Sequence, residues 1–252
     1  MARLGRAQPF PPKLRRPTLP FLTTVVFDSA ATSGYKSSLS SYNFSITITA
    51  GNANRILFCG VGIFLTGSVT SIDAGGNAMA FVRADTNAAY RSEIWRLFAP
   101  PTGVVTITVT LNTSLTSVTN ACSYYNSDQT TLDANNGNNG TNTPASASVT
   151  TIADLCTIFG NLAAQTASGI TSAAGQFSRT TSNGALGTDA SDDFGDVSPA
   201  GSKTLTWNGL GTLDSWAVSL VSLRPPQPPT DRQEWITILP RERGRTTVQV
   251  SY

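Results

Sequence analysis

The sequence contains no histidine, only three cysteines, no apolar run long enough to span a bilayer, and unusually little charge. The missing histidine removes the side chain that most often moves protons near neutral pH. With it go Ser-His-Asp triads, Cys-His dyads and His-bearing zinc or non-haem iron sites. Cys59, Cys122 and Cys156 lie far apart with no C-x-x-C pair, which argues against a thiolate metal site or a disulfide framework. Each sits in an apolar stretch and reads as a small buried hydrophobe rather than half of a Cys59–Cys122 bridge. The longest apolar run falls well short of about 18 residues, and Pro9, Pro11, Pro12, Pro17 and Pro20 break the stretch where a secretory leader would need an apolar core. Neither a membrane span nor export through a cleaved leader is therefore expected.

What charge there is lies unevenly along the chain. Residues 1–22 carry Arg3, Arg6, Lys13, Arg15 and Arg16 and no acid, whereas residues 23–224 carry 8 basic and 12 acidic side chains. The five prolines forbid a regular helix in the first segment, so 1–22 reads as an extended basic arm. A stretched arm of this length reaches roughly 70 Å at about 3.3 Å per residue, far enough to lie across a neighbouring molecule.

From residue 23 to 224 short β-branched or alternating runs recur, among them Phe44–Thr49, Ile56–Leu65, Arg91–Phe98, Val104–Leu111, Val118–Tyr125, Cys156–Leu162 and Trp216–Leu223. Clusters such as Gly75-Gly76-Asn77, Pro100–Gly103 and Asn135–Asn142 separate them as turns. This pattern predicts an all-β body, an antiparallel β-sandwich of jelly-roll-like kind. Ile152–Ala167 is the nearest approach to an amphipathic helix. Residues 225–252 begin with Pro225-Pro226-Gln227-Pro228-Pro229, a stiff spacer. Two strand-like pieces follow, Trp235–Leu239 and Thr246–Val250. These cannot build a core of their own, so Trp235, Ile236, Ile238, Val248 and Val250 are expected to pair with a host sheet edge, in the same molecule or a neighbour. The five basic side chains of the arm and these five tail residues are the candidate partner-binding positions.

Candidate chemistry is sparse. Asp189–Asp196 places four carboxylates close together and could wrap a calcium ion, but its spacing departs from the EF-hand pattern and it reads as a solvated connection between strands. Glu93, the one Glu of the body, could serve a glycosidase only with a second carboxylate at a defined separation. Its neighbours Arg91 and Arg96 point instead to surface charge pairing. Trp95, Trp207, Trp216, Tyr124 and Tyr125 could form a sugar-binding platform, though aromatic residues in strands more often belong to the core. Gly60-x-Gly62 and Gly75-Gly76 open no helix and read as bulge or turn glycines. The sequons at Asn43, Asn112 and Asn139 matter only in a secretory route. The arm could contact phosphates without specificity, but docking on an acidic protein surface suits its prolines better, since a pre-extended arm loses less entropy on ordering. No catalytic residue, metal or cofactor is expected, and no specific nucleic acid.

Asn54-Arg55-Ile56-Leu57-Phe58-Cys59-Gly60-Val61, Val69–Ile72 with Gly75-Gly76, and Arg91–Gly103 resemble a β-sandwich domain of tailed-bacteriophage virion proteins and uncharacterised bacterial surface proteins. The resemblance continues through Tyr124–Thr131 and Asp214–Val218 to Leu223-Arg224-Pro225, covering about residues 43–224. It implies a domain type and assigns no catalytic residues. The flanks favour the virion context, which implies a non-enzymatic capsid decoration or cement protein, assembled in the host cytoplasm. Its arms would bridge capsid or tail proteins of the same particle, and it would itself be a homo-oligomer such as a trimer. The competing expectation is a tail-fibre or adhesin module that recognises host carbohydrate.

Overall fold

The computed structural model describes residues 24–141, 143–165, 169–227, 237–238 and 248–249. The arm residues Arg3, Arg6, Lys13, Arg15 and Arg16 and the tail residues Trp235, Ile236 and Val250 lie outside the described residues. Every sheet is antiparallel, and no helix occurs among the described residues.

The first half contains β1 (Val26–Thr32), β2 (Lys36–Ile48), β3 (Ile56–Ile63), β4 (Val69–Ala74), the two-residue β5 (Asn77–Ala78), β6 (Ala80–Asn87), β7 (Tyr90–Phe98) and β8 (Gly103–Tyr125). The runs Val104–Leu111 and Val118–Tyr125, expected as separate strands, are one. Asn112–Ser117 holds no glycine or proline, and nothing there stops the extended backbone. Burial changes along β8. From Val105 to Leu111 only alternate residues are buried, and from Leu115 to Tyr124 all are. The early part pairs with β2 and β4 in an outer layer, and the late part with β1 and β3 in an inner one.

The second half follows with β9 (Ala134–Gly140), β10 (Ala145–Thr150), β11 (Cys156–Ala164), β12 (Thr171–Ser172), β13 (Phe177–Gly184), β14 (Gly187–Val197), β15 (Ser202–Asn208) and β16 (Trp216–Leu223). Its connectivity repeats that of the first. The inner sheet β6-β7-β3-β8-β1 has its counterpart in β13-β14-β11-β16-β9, and β2-β8-β4 has its counterpart in β10-β15-β12. The difference is that β15 and β16 are separate strands, joined through Gly209, whose φ of +89° breaks the extended run. The body thus consists of two topologically equivalent halves, and their sequences are too dissimilar for the repeat to be seen directly.

Among the described residues four apolar clusters hold these layers, the smallest formed by Phe64, Val118 and Ala163. Leu57, Cys59, Val61, Ile107 and Val109 fill the first half, and Ile158, Leu162, Leu205, Trp207 and Leu220 fill the second. Ile56, Phe58, Ile94, Cys122, Tyr124, Phe159, Val221 and Leu223 join the two inner sheets face to face. Phe58 and Phe159 occupy equivalent places in β3 and β11 and stack on each other with centroids 5.3 Å apart. Equivalent residues meeting across a seam is the arrangement expected of an isologous dimer, here within one chain. Each fully buried aromatic in this seam contributes on the order of 2 kcal/mol of apolar transfer energy.

Several expectations are corrected. Asn135–Asn142 is not a turn cluster: residues 134–140 form β9. There the Asn136 and Asn138 amides donate to the Ser148 and Ser146 carbonyls at 2.8 and 2.9 Å, so side chains extend the ladder to β10. The run Cys156–Leu162 is a strand as expected, within β11. Gly60 and Gly62 are neither bulge nor turn glycines, because β3 pairs on both sides without a register shift; Gly75 and Gly76 do form a turn, with φ of +61° and +83°. In the tail, Thr237–Ile238 (β17) and Val248–Gln249 (β18) pair with each other, Ile238 opposite Val248.

Candidate functional site

The inner sheets meet through a polar seam as well as an apolar one. Gly60 and Gly62 present bare backbone to the second half, and Asn161 and Asp189 occupy the space a Cβ would need. Asp189, fully buried, accepts from the Gly62 N–H at 3.2 Å, the Asn120 amide at 3.1 Å and the Asn161 amide at 2.9 Å. Asn161 also accepts from Ser191 Oγ, and its backbone carbonyl accepts from Ser92 Oγ. Burial pushes the Asp189 carboxyl well above the usual carboxylate range, against the pull of its donors from Asn161, Gly62 and Ala190. A buried polar network of this kind fixes one docking geometry, since any slip leaves donors without acceptors.

At one end of the seam Arg179 grips Asp193 through two charge-assisted hydrogen bonds of 2.6 and 2.9 Å, and Tyr124 donates to the same carboxylate at 2.9 Å. The guanidinium also lies 3.7 Å from the centroid of the Phe27 ring. Burial works against the Arg179 charge, but Asp193 outweighs it and the guanidinium holds its proton more tightly than usual. Burial, reinforced by Asp193, raises Tyr124 far above an ordinary phenol.

The same end receives both termini of the body. Thr24 O accepts from the Asn126 amide at 2.6 Å. Two residues on, Asp128 donates its N–H to Arg224 O and takes the Arg224 guanidinium at 2.9 Å. Burial opposes the Asp128 charge, yet hydrogen bonds from Thr130 and Arg224 together hold its carboxyl below the usual range. Val25 and Leu223 pack in one cluster. Residues 1–23 and the segment beyond Gln227 therefore attach to neighbouring points of one face. A cavity of about 610 Å³ lined by Thr24, Val26, Ala53, Tyr125 and Asn126 opens beside this exit.

The residues singled out from sequence fall elsewhere. Asp189–Asp196 is no solvated connection: it lies within β14, and strand alternation sends its carboxylates to different places. Asp189 and Asp193 face the seam, while Asp192 takes the Gln176 amide at 3.0 Å. Among the described residues no cluster of three or more His, Cys, Asp or Glu side chains could hold a metal. Glu93 is not a surface charge either. It is buried, and accepts from Val69 N–H at 3.2 Å, Arg91 at 2.6 Å and Trp95 Nε1 at 2.8 Å. Arg96 takes no part in that pairing and lies over Phe98. Trp95, Trp207, Trp216 and Tyr124 are core residues, and only Tyr125 is partly exposed. All three cysteines are free and buried. Sequence reasoning missed Arg179, Asn161 and Asn120. The one available signal was a polar residue inside an apolar run, as in Phe159-Gly160-Asn161-Leu162.

No protein-family model, no curated protein and no solved structure matches this chain.

Proposed function

We propose that the chain is a non-enzymatic virion structural protein of a bacteriophage, a capsid decoration or cement protein whose flanks bridge neighbouring subunits. In this reading each half is a jelly-roll-like β-sandwich, and the body is a rigid block placed on the particle after assembly in the host cytoplasm. The observation that carries the reading is the shared exit: a Pro-rich basic flank and a Pro-spaced strand-forming flank attach at neighbouring points of one face. Two tethers leaving together can engage the same neighbour, and each then raises the effective concentration of the other. The polar seam supports the same role, because it holds the two halves in a single orientation. The partners would be capsid or tail proteins of the particle and further copies of this chain, a trimer among the possible assemblies. The resemblance to phage virion domains adds to these observations.

The test is deletion of residues 1–22 or 226–252 in the intact particle. Each truncated protein should keep the thermal transition of the body and lose incorporation, or leave particles that rupture more readily on heating. Normal incorporation of both truncations would overturn the reading.

A further inference from the structure

A second recognition feature lies away from the exit, where β6 and β7 of the first half meet the segment entering β9. A cleft of about 280 Å³ opens there, lined by Val82, Arg96, Thr131, Leu132, Asp133 and Asn135, with half-exposed Phe81 at its rim. The other arginines of the described residues are all engaged. Arg83, Arg91, Arg179 and Arg224 pair with carboxylates, and Arg55 donates to the carbonyls of Asn52 and Pro100. Arg96 has no hydrogen-bond acceptor among the described residues. Its guanidinium rests 4.2 Å from the Phe98 centroid, which fixes its plane while leaving the N–H fork free, and burial alone lowers its hold on its proton.

The one carboxylate in the cleft does not serve Arg96. Asp133 is taken up by the Ile152 and Ala153 N–H groups, each at 2.9 Å, and by Ser222 Oγ at 3.2 Å. Stacked on Phe98 with its N–H edge open to the cleft, this guanidinium is preorganised for bidentate capture of a planar carboxylate. Further polar groups converge there. Asn135 accepts from Arg83 through Oδ1, leaving its amide N–H groups available, and Thr131 supplies a hydroxyl oxygen. Val82 and Leu132 form apolar walls. The cavity is concave and close to the lower limit of about 300 Å³ for small-molecule pockets. That matches one hydroxylated ring better than the broad, flat surface of a protein partner.

We infer that this cleft binds the carboxylate-bearing sugar unit of an acidic glycan, with Arg96 on the carboxylate and Asn135 and Thr131 on ring hydroxyls. The site belongs to the body and does not depend on the flanks, so it stands or falls separately from the bridging role.

The test is calorimetric titration of the full chain at low salt with three probes: a galacturonic acid tetramer, the neutral galactose tetramer and a tetraglutamate peptide. The acidic sugar should bind, the neutral one should give no measurable heat, and the peptide should bind at least tenfold more weakly. Arg96→Gln should weaken the acidic sugar by roughly tenfold or more, the loss of a charge-assisted pair. Arg96→Lys keeps the cation and the aliphatic stem on Phe98 and should fall between the two, providing a second variant should Arg96→Gln fail to fold. Asn135→Ala should weaken the sugar and not the peptide. Absence of binding, equal binding of the neutral tetramer, or affinity unchanged in both Arg96 variants would overturn the inference. Peptide binding as tight as the sugar, and equally dependent on Arg96, would assign the cleft to a protein carboxylate and overturn the glycan assignment.

Discussion

Replacing Gly62 by alanine tests the seam most directly. A Cβ at this position would lie 2.8 Å from Cγ and 2.9 Å from both Cβ and Oδ1 of Asp189, closer than packed atoms tolerate. Asp189 cannot swing aside cheaply, because it is fully buried and held by the Asn120 and Asn161 amides and by the Gly62 N–H itself. Overpacking costs about 1–3 kcal/mol, and pulling a buried carboxyl from one donor costs about 1–3 kcal/mol more. The lower entropy of the unfolded alanine chain returns about 0.5–1 kcal/mol. The net expectation is a loss of about 3 kcal/mol, which for a body of roughly this size lowers Tm by about 6–12 °C. Gly195→Ala, in the adjoining strand β14, is the control: a Cβ there meets nothing within 4 Å and the backbone is not left-handed, so Tm should stay level or rise slightly. Differential scanning calorimetry reads both. A Gly62→Ala protein melting within 2 °C of the parent, or a Gly195→Ala protein falling equally far, would refute the close-approach argument.

Three further outcomes follow from buried ionisable groups. Burial raises the Asp189 carboxyl above its unfolded value near 3.8, so the native state holds that proton more tightly. The associated stability is complete below that value and is lost as pH rises through the native one; the Tm of Asp189→Asn, measured from pH 4 to 8, should therefore gain on the parent as pH increases, and parallel curves would contradict this. Arg179→Met leaves Asp193 buried without its cation and should cost about 3 kcal/mol in urea unfolding, a figure under about 1 kcal/mol showing that the pair is dispensable. Burial pushes the Cys59 and Cys156 thiols up, Cys156 to about 12, and raises Cys122 well above its ordinary value. A thiol-exchange reagent should therefore label no cysteine in the native protein and all three in concentrated guanidinium, and rapid labelling of the native protein would show that the seam opens.

Strands were legible where apolar residues dominate. Trp216–Leu223 and Ile56–Ile63 are read almost to the residue, because a fully covered strand must be continuously apolar. Strands β9, β13 and β14 were not, since Ala-Asn-Asn-Gly-Asn-Asn-Gly, Phe-Ser-Arg-Thr-Thr-Ser-Asn-Gly and Gly-Thr-Asp-Ala-Ser-Asp-Asp-Phe carry the composition of turns. What keeps them extended comes from elsewhere in the chain: the carbonyls of β10 for the asparagines, the amides of Asn120 and Asn161 for Asp189, and the guanidinium of Arg179 for Asp193. The candidate site was legible in part. Asn161 carries a signal as a polar residue in an apolar run; the basic arm and most of the tail lie outside the described residues; and Arg91 and Arg96 were both read as surface charge partners of Glu93, of which Arg91 alone pairs with it, and there in a buried setting.

Composition and periodicity by themselves determined that this is an all-β body between two flanks of different chemistry, without histidine-based catalysis. Both conclusions rest on local properties: backbone preference, strand alternation, the missing donor of proline and the absence of a side chain type. Only the tertiary structure decided that the body is a topological duplicate folded onto itself, that Asp189 and Asp193 line an internal seam, that both flanks attach beside each other and that Arg96 stands without an anion among the described residues. Each of these depends on which distant residue a side chain meets. Face-to-face packing of the two inner sheets brings together positions some 70 to 130 residues apart, such as Gly62 with Asp189 and Asn120 with Asp189, and no periodicity within a strand encodes the identity of the strand that will cover it.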